Sequence, residues 1–318
     1  MTNVPVFLAS NDNYAPFVAT TIASICYNTK SFVEFYILDN EISNFHKKQI
    51  ETLKEKFDNF SIEFLQVKPD LFKDFSFGLS HISLDMYSRF FMFDMKPNLK
   101  KAIYIDLDVV VLGDIIDLYN ENLDGKVLGA IHVKLPKKRK FNYLQKIMQI
   151  PEEHLYFNSG VLIFDCEKIS KNFAKEMLEL LAKYKNVVRF GDQDTLNKYF
   201  TGNYKTLSNK YNFTNRHIQY GFKEKDIVIR HFEGAKKPWN SSRWFRGDKM
   251  LNFKDWWYFA NMTSFYSGLQ ADFMASKIEE DKFEKRKSWV KKTFIFLILS
   301  VTVAFFDILF IILITSFF

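Results

Sequence analysis

Two carboxylates interrupt a strongly apolar stretch of this chain. The stretch is Lys101–Leu112, and the acids are Asp106 and Asp108. The segment from Ile103 to Val111 is rich in Ile, Val and Leu, which predicts a strand that is buried on both faces. An unpaired buried carboxylate costs several kcal/mol, and a bound divalent cation would offset that cost. The alternative is a strand end at which both acids are solvated or cap a turn.

The composition is that of a folded protein with a large core. Hydrophobic residues make up 47% of the chain and aromatic residues 18%, which excludes wholesale disorder. The net charge of +7 indicates anionic partners such as phosphates or acidic lipid. No nucleic-acid-binding module is recognisable, so we expect no nucleic-acid partner. Cys26 and Cys166 both lie in apolar segments, which predicts buried thiols in a reducing compartment.

The start of the chain alternates between strand and helix patterns. Val4–Ala9, Phe32–Leu38 and Ser61–Val67 predict strands, and the helices between them begin near Pro16 and Ser43. This order predicts an α/β fold with a mostly parallel sheet and right-handed crossovers. Ligands of such sheets bind at the carboxyl ends of the strands.

A polar cluster, Ser10–Tyr14, follows the first predicted strand. Asn and Asp side chains present edges that recognise a nucleotide base, and Tyr14 offers a stacking face. The alternative is an ordinary strand-to-helix turn. The cluster should share an edge of the sheet with Asp106 and Asp108. The glycine patterns of dinucleotide-binding and P-loop sites are absent from the sequence, which argues against both classes.

Two basic features follow in the middle of the chain. His81–Phe93 predicts a helix that carries Arg89, a side chain suited to bidentate contact with phosphate or carboxylate. An ordinary surface arginine is the alternative. Leu135–Tyr143 predicts a basic loop, which is either a solvated surface or a mobile lid over an anionic donor.

Small and acidic residues mark two later segments. Tyr156–Asp165 predicts a turn and a buried strand, and the small residues Asn158, Ser159 and Gly160 at its start allow the backbone to approach a ligand. Asp192 and Asp194 flank Gln193 just before a predicted helix. Helix capping is the ordinary explanation of such acids, and we expect it to apply to one of them while the other acts on substrate.

The segment Val228–Trp239 combines an imidazole with an ammonium group. A predicted strand ends at His231, and the loop that follows carries Gly234 and Lys237. This arrangement suits a metal–diphosphate site, in which the imidazole binds the metal and the ammonium binds phosphate.

The C-terminal part of the chain predicts a membrane anchor. Residues 271–292 form a basic juxtamembrane segment, and residues 293–318 are almost wholly apolar. As a helix, the apolar segment would be about 39 Å long, enough to span a hydrocarbon core of about 30 Å. The basic flank with Trp289 predicts that the preceding domain lies at the cytoplasmic face of the inner membrane. A segment that lies in the membrane interface is the alternative.

Taken in order, these segments resemble glycosyltransferase family 8. The similar segments, within Val4–Trp239, are ASNDNY, HIS…YSR, YIDLDVVV, FNSGV, GDQDTLN and HFEGAKKPW. The resemblance is to bacterial α-galactosyltransferases and α-glucosyltransferases of lipooligosaccharide and lipopolysaccharide synthesis, with glycogenin more distant. It implies a GT-A fold over residues 1–270, with a single Rossmann-like, mostly parallel sheet flanked by helices. The membrane anchor would follow as a C-terminal transmembrane or membrane-associated helix.

The resemblance also implies a reaction and its cofactor. A retaining enzyme of this family would move galactose or glucose from a UDP-sugar to a lipid-linked or oligosaccharide acceptor, with Mn²⁺, or Mg²⁺, as cofactor. Asp106, Asp108 and His231 match the metal ligands. His81 falls where the family contacts the acceptor, near the loop around Lys137–Lys140. The positions that match nucleotide-sugar contacts are Asn11, Asn13, Tyr14, Arg89, Asp106, Leu107, Asp108, Asn158, Ser159, Asp192, Gln193, Gly234 and Lys237.

Gln193 and Asp192 occupy the positions expected to be catalytic. An amide is a weak nucleophile, which favours attack by the acceptor on the same face of the sugar from which the diphosphate leaves. A covalent intermediate on Asp192 is the alternative.

Two other functions compete with sugar transfer. A nucleotidyltransferase that makes the nucleotide-sugar would commonly begin with a glycine-rich loop and basic residues after its first strand, and this chain has neither. A non-catalytic, membrane-anchored nucleotide-sugar-binding protein is disfavoured by the intact residues Asp106, Asp108, His231, Gln193 and Lys237.

Overall fold

A computed structural model describes residues 2–68, 84–135, 142–219, 221, 226–234, 237–240 and 252–315. The chain divides into one compact unit, Met1–Pro238 with Asp248–Ser267, and a second, Trp239–Gly247 with Gly268–Phe318. Within the described ranges, the strands are β1 (Asn3–Asn11), β2 (Phe32–Asn40), β3 (Phe60–Gln66), β4 (Lys101–Ile105), β5 (Val109–Val111), β6 (Leu128–His132), β7 (Phe157–Asp165), β8 (Tyr204–Thr206) and β9 (Ile229–His231). The α-helices of these ranges are α1 (Ala15–Asn28), α2 (Asn44–Glu51), α3 (Met92–Met95), α4 (Ile116–Tyr119), α5 (Asn142–Lys146), α6 (Phe173–Tyr184), α7 (Gly191–Tyr199), α8 (Asn215–Gln219), α9 (Phe253–Ala260) and α10 (Tyr266–Thr315).

The first part of the chain folds as its pattern predicts. β1 pairs in parallel with β2 and β4, and β2 pairs in parallel with β3. β1 is buried along most of its length, as expected for a strand covered on both faces. Ser43 caps α2, because its side chain accepts a hydrogen bond from the His46 N–H at 3.2 Å. These observations confirm the predicted α/β fold with a mostly parallel sheet.

The main sheet has the strand order β3-β2-β1-β4-β7-β6-β8 among the described residues. β7 is antiparallel to both β4 and β6, whereas β6 and β8 are parallel. A strand buried on both faces has the same apolar pattern in either direction, so the sequence did not reveal this reversal. Aromatic side chains form much of the core beside β4 and β7, and the fully buried ones include Tyr87, Phe90, Phe157, Phe164 and Phe173. Burial of each phenylalanine stabilises the fold by about 1.5–3 kcal/mol.

The apolar stretch around the two acids is divided between two sheets. β4 ends at Ile105, and β5 pairs antiparallel with β9 in a separate two-stranded sheet. The prediction of one strand from Ile103 to Val111 is therefore wrong. The backbone of the acids has other partners, because Asp106 N donates to Gly160 O at 2.8 Å and Asp108 O accepts from Phe232 N at 2.8 Å.

The predicted C-terminal transmembrane helix is contradicted. None of the helices in the described part of the chain is both long enough and apolar enough to cross a membrane. The apolar residues 293–315 do not form an element of their own. They continue α10, a 50-residue helix whose earlier turns contain the charged residues from Lys277 to Lys292. Charged side chains of this kind are disfavoured in a hydrocarbon core.

Candidate active site

The carboxyl ends of β1 and β4 lie side by side, because these neighbouring strands are parallel. The polar cluster after β1 and the acids after β4 therefore share an edge of the sheet, as predicted. Asn11 Oδ1 accepts from Tyr14 N at 3.2 Å, and this contact closes a short 3₁₀ turn. Asn13 and Tyr14 are exposed at this edge. The arrangement leaves the Tyr14 ring accessible to a base.

Asp12, in the same cluster, makes structural contacts with neighbouring parts of the fold. Its Oδ1 accepts from Ser43 N at 2.8 Å and lies 2.7 Å from His46 Nδ1. The Ser43 N–H, with His46 beside it, holds the pKa of Asp12 below its ordinary value. Asp12 thus joins the end of β1 to the start of α2.

Asp106, Asp108 and His231 converge at the edge of the sheet. One ligand atom from each lies within 4.8 Å of the others. The pairing of β5 with β9 sets Val109 opposite His231, which brings Asp108 against the imidazole. His231 Nε2 lies 3.1 Å from Asp108 Oδ1. Two carboxylates and an imidazole form a donor set that fits a divalent transition metal such as Mn²⁺.

Positive charge surrounds Asp108. Burial raises the pKa of Asp108, but the charges of His231 and Lys237 outweigh this effect and hold the pKa well below its ordinary value. Conversely, burial lowers the pKa of His231, and Asp108 raises it above the ordinary value. Lys237 Nζ contacts Asp108 Oδ2 and donates to Phe232 O at 2.8 Å. Asp108 is thus ionised, and an ammonium group lies beside the candidate metal ligands.

Gly160 makes room for the candidate ligands. A Cβ atom at this position would lie 2.3 Å from His231 Cε1 and 2.8 Å from Asp106 Oδ2. Any side chain would displace both residues, so the tight fit requires glycine. The sequence predicted that Asn158, Ser159 and Gly160 allow the backbone to approach a ligand, but it did not indicate that Gly160 packs against the candidate metal-ligand side chains.

Arg89 bridges two carboxylates of the site. Its Nη2 donates to Asp106 Oδ1 at 2.9 Å, and its Nη1 lies 2.9 Å from Asp192 Oδ2. The guanidinium also lies 4.2 Å from the centre of the Tyr104 ring. Burial lowers the pKa of Arg89, but Asp192, Tyr104 and Asp106 together raise it well above its ordinary value, so the side chain stays charged. Arg89 thus connects the metal side of the site to Asp192.

Gln193 is held by hydrogen bonds at both ends of its amide. Its Oε1 accepts from Asn158 Nδ2 at 3.0 Å and from Ser159 N at 3.1 Å. Its Nε2 donates to Tyr156 Oη at 3.0 Å. Ser159 Oγ donates to Asp192 Oδ2 at 3.0 Å, while burial raises the pKa of Asp192 against the opposing effect of Arg89. The predicted residues at the start of β7 and of α7 therefore meet.

Asp194 has a structural role. Its carboxylate accepts from Tyr143 Oη at 2.8 Å, Tyr156 Oη at 2.5 Å, Arg189 N at 2.8 Å and Phe190 N at 3.1 Å. The side chain is fully buried. Asp192 faces the site, as expected if only one of the two acids acts on substrate.

The remaining residues that were predicted for the site fall into three groups. Leu107 is buried, and its carbonyl accepts from Thr21 Oγ1 at 3.4 Å. Gly234 lies in the loop after β9 at a positive φ of 77°, a conformation that favours glycine. His81 and the basic residues Lys137–Lys140 lie outside the described residues.

Three residues of the site were not predicted from the sequence. Tyr104 and Tyr156 contact Asp106 and Gln193 through their hydroxyl groups. Asn212 lies 2.8 Å from the ring of His231 and is fully buried. The signal for Asn212 was its place between two aromatic residues, because a polar residue enclosed by apolar ones must find a buried partner.

Comparison with known proteins settles the family. Residues 5–243 match the sequence profile of the family described as Glycosyl transferase family 8. The chain belongs to glycosyl transferase family 8. It is therefore a glycosyltransferase, and family membership decides against the nucleotidyltransferase alternative.

Relatives of this family 8 enzyme come from several bacteria. A Haemophilus influenzae protein named as a glycosyltransferase is 31% identical over 243 residues, which are 74% of this chain and 72% of that protein. Lipopolysaccharide 1,2-glucosyltransferase of Escherichia coli is 27% identical over 246 residues, 72% of this chain and 70% of that protein. The crystal structure of galactosyltransferase LgtC with donor and acceptor sugar analogs has a TM-score of 0.70 at 23% identity, covering 82% of this chain and 96% of that chain. The likeness to LgtC confirms the GT-A fold.

Proposed function

We propose that this glycosyltransferase is a retaining, metal-dependent hexosyltransferase that uses a UDP-sugar donor. The proposed donor is UDP-galactose or UDP-glucose, and the proposed cofactor is Mn²⁺, or Mg²⁺. The observation that carries the proposal is the convergence of Asp106, Asp108 and His231 beside Lys237. A nucleoside diphosphate needs both a divalent cation and further positive charge to leave.

The leaving diphosphate would lie over the candidate metal site. Asp106, Asp108 and His231 would hold the ion, which when bound acts as a Lewis acid on the diphosphate oxygens. Lys237 would bind a phosphate oxygen, moving from Asp108 as the donor binds. Negative charge grows on the diphosphate as the glycosidic bond breaks, so contacts with these oxygens strengthen in the transition state. Tyr14 would stack on the base.

The sugar would lie against Asp192 and Gln193. We propose that the acceptor oxygen attacks the anomeric carbon on the face from which the diphosphate leaves. The bond between that carbon and the phosphate oxygen breaks, its electron pair stays on the diphosphate, and a diphosphate oxygen takes the acceptor's proton. Gln193 Oε1 already accepts two hydrogen bonds, which weakens it as a nucleophile and fixes the amide in a position to orient the sugar. The carboxylate of Asp192 would stabilise positive charge on the sugar. In the alternative, a covalent intermediate on Asp192, the attacking carboxylate would have contacts to Arg89 and Ser159 that weaken it as a nucleophile.

We propose a lipid-linked saccharide of the lipooligosaccharide or lipopolysaccharide type as the acceptor. The likeness to the lipopolysaccharide 1,2-glucosyltransferase supports this choice. We also propose that the enzyme works at the cytoplasmic face of the inner membrane. The basic side chains Lys282, Lys285, Arg286, Lys287, Lys291 and Lys292 are exposed and would attract the anionic surface on which such an acceptor is built.

A donor panel tests the proposal. The purified protein is incubated with UDP-galactose, UDP-glucose and UDP-N-acetylglucosamine, each with Mn²⁺, Mg²⁺ or EDTA, and UDP release is followed. We expect slow release of UDP from one hexose donor in the presence of metal and none in EDTA. Binding of all donors without release, under any acceptor tested, would contradict sugar transfer. Mass analysis of lipid-linked glycans from a deletion strain then identifies the acceptor by the missing hexose.

A further inference from the structure

The second ring nitrogen of His231 faces a buried amide. His231 Nδ1 lies 2.8 Å from Asn212 Oδ1, and both residues are buried within the fold. The first ring nitrogen, Nε2, is the one that faces Asp108. The two nitrogens of a neutral imidazole differ, because one carries a proton and the other a lone pair. Which nitrogen can bind a metal is therefore decided by the partner of the other.

A backbone N–H fixes the direction of these hydrogen bonds. Gly160 N donates to Asn158 Oδ1 at 2.9 Å, and an N–H can only donate, so this atom of Asn158 is the oxygen. Asn212 Nδ2 donates to the same oxygen at 2.8 Å. The other end of the Asn212 amide is consequently its oxygen, and it can only accept a hydrogen bond from the N–H at His231 Nδ1.

The hydrogen bonds at Asn158 Nδ2 lead to the same assignment of the Asn158 amide. Ser159 N donates to Gln193 Oε1 at 3.1 Å, which fixes that atom as an acceptor. Asn158 Nδ2 donates to it at 3.0 Å. The side chains of Gln193, Asn158, Asn212 and His231 therefore form one hydrogen-bonded chain, the amide relay, with a single consistent set of donors and acceptors.

We propose that Asn212 is a positioning residue that keeps the proton of His231 on Nδ1 and leaves the Nε2 lone pair for the divalent cation. The inference rests on the metal dependence in the proposed function and adds the means by which the fold prepares its nitrogen ligand. Partners behind a metal-binding histidine commonly change metal affinity by about 10–100-fold when they are removed. The relay also places the metal ligand and the sugar-positioning residue Gln193 in one network.

Two substitutions distinguish the role of the Asn212 hydrogen-bond acceptor from the role of the size of its side chain. Asn212→Leu keeps the approximate shape and removes the acceptor, whereas Asn212→Asp keeps an acceptor for the Nδ1–H. A control is Asn59→Leu, because the Asn59 amide also donates within the fold, to Cys26 O at 3.1 Å and to Thr29 O at 2.7 Å, beside the amino-terminal end of β3 and away from the metal ligands. Thermal melting of each variant reports folding.

Metal affinity and the tautomer are then measured separately. Mn²⁺ affinity is obtained by electron paramagnetic resonance of the free ion. The tautomer is obtained from two-bond ¹H–¹⁵N spectra of ¹⁵N-histidine-labelled protein loaded with diamagnetic Zn²⁺, with His231→Gln assigning the signal among six histidines. We expect a protonated Nδ1 in the wild type, a loss of about 10–100-fold in Mn²⁺ affinity in Asn212→Leu, and retention of both properties in Asn212→Asp. Asn59→Leu should lower the melting temperature and leave both the Mn²⁺ affinity and the His231 signal unchanged.

The outcomes distinguish this inference from the proposed function. A wild-type protein that binds Mn²⁺ through a His231 protonated on Nε2 overturns the inference without any variant. Unchanged Mn²⁺ affinity in folded Asn212→Leu also overturns it, while the metal site itself stands. Absence of Mn²⁺ binding by the wild type would instead remove the metal assignment and the inference together.

Discussion

Two acidic motifs with the same spacing serve different purposes in this enzyme. In Asp106-Leu107-Asp108 both carboxylates point toward the candidate metal, and the middle residue is buried away from it. In Asp192-Gln193-Asp194 the first acid and the middle amide line the site, whereas Asp194 is enclosed by tyrosine hydroxyls and backbone N–H groups.

Local backbone explains the difference. The first motif lies in a bend between strands β4 and β5, and this bend brings the two carboxylates to within 4.8 Å of each other. The second motif is in the first turn of helix α7, where residues two apart point about 200° away from each other. An acid–x–acid pattern therefore indicates a pair of metal ligands only when the backbone is not helical.

The largest effect should come from the first motif. Asp106→Ala and Asp108→Ala should each lower UDP-hexose turnover by about 10³-fold or more, because bound metal supplies several kcal/mol and each 1.36 kcal/mol is tenfold in rate. Steady-state UDP release at varied Mn²⁺ measures the loss. Turnover in either variant close to that of the wild type would mean that the two carboxylates do not act as a pair.

The next largest effect should be on the free energy of unfolding, and it distinguishes the two acids of the second motif. Asp194→Ala should lower the free energy of unfolding by about 3 kcal/mol, since buried donors that lose their acceptor cost about 1–3 kcal/mol each. Urea denaturation measures it. Mn²⁺ affinity should stay near that of the wild type, and a selective loss of metal binding with normal stability would assign Asp194 to the site after all.

Asp192→Asn, in contrast, should lower turnover rather than stability. It removes the charge that faces Arg89 and retains a side chain of the same shape, so turnover should fall by about 10–100-fold, as for the loss of a charge-assisted hydrogen bond worth about 1.5–3 kcal/mol. The kcat of UDP release is the readout, with Mn²⁺ affinity as the control. If Asp192→Asn and Asp194→Ala behaved alike in both assays, the distinction between the two acids would fail.

The smallest effect belongs to the middle residue of the second motif. Gln193→Ala should lower kcat by about tenfold, because it removes neutral hydrogen bonds, each worth about 0.5–1.5 kcal/mol. A loss as large as that of Asp106→Ala would point to direct participation of Gln193 in bond making.

Much of the fold followed from the sequence. The strand and helix pattern of the first 67 residues predicted the parallel order of β1, β2 and β3, because each element there is short and its periodicity is clear. The direction of β7 did not follow, since long-range pairing decides it. The prediction of a transmembrane helix failed because apolar length was counted without the charged turns of α10 that precede residues 293–315.

Part of the site could also be predicted from local sequence, and part depended on long-range contacts. Asp106, Asp108, His231 and Gln193 belong to segments with a recognisable order, and the fold gathers them. Asn212 and Gly160 act through packing and hydrogen bonds to residues distant in the chain. Their roles therefore depend on contacts that local sequence does not specify.

The candidate metal site is central to the proposed reaction, and one measurement tests it directly. Crystals grown with Mn²⁺ and UDP would be measured at the manganese absorption edge, and turnover of the same preparation would be measured in EDTA. We predict an anomalous peak bound by Asp106, Asp108 and His231, and no turnover once the ion is removed. A manganese peak elsewhere, or full turnover with the ion shown to be absent, would contradict the account.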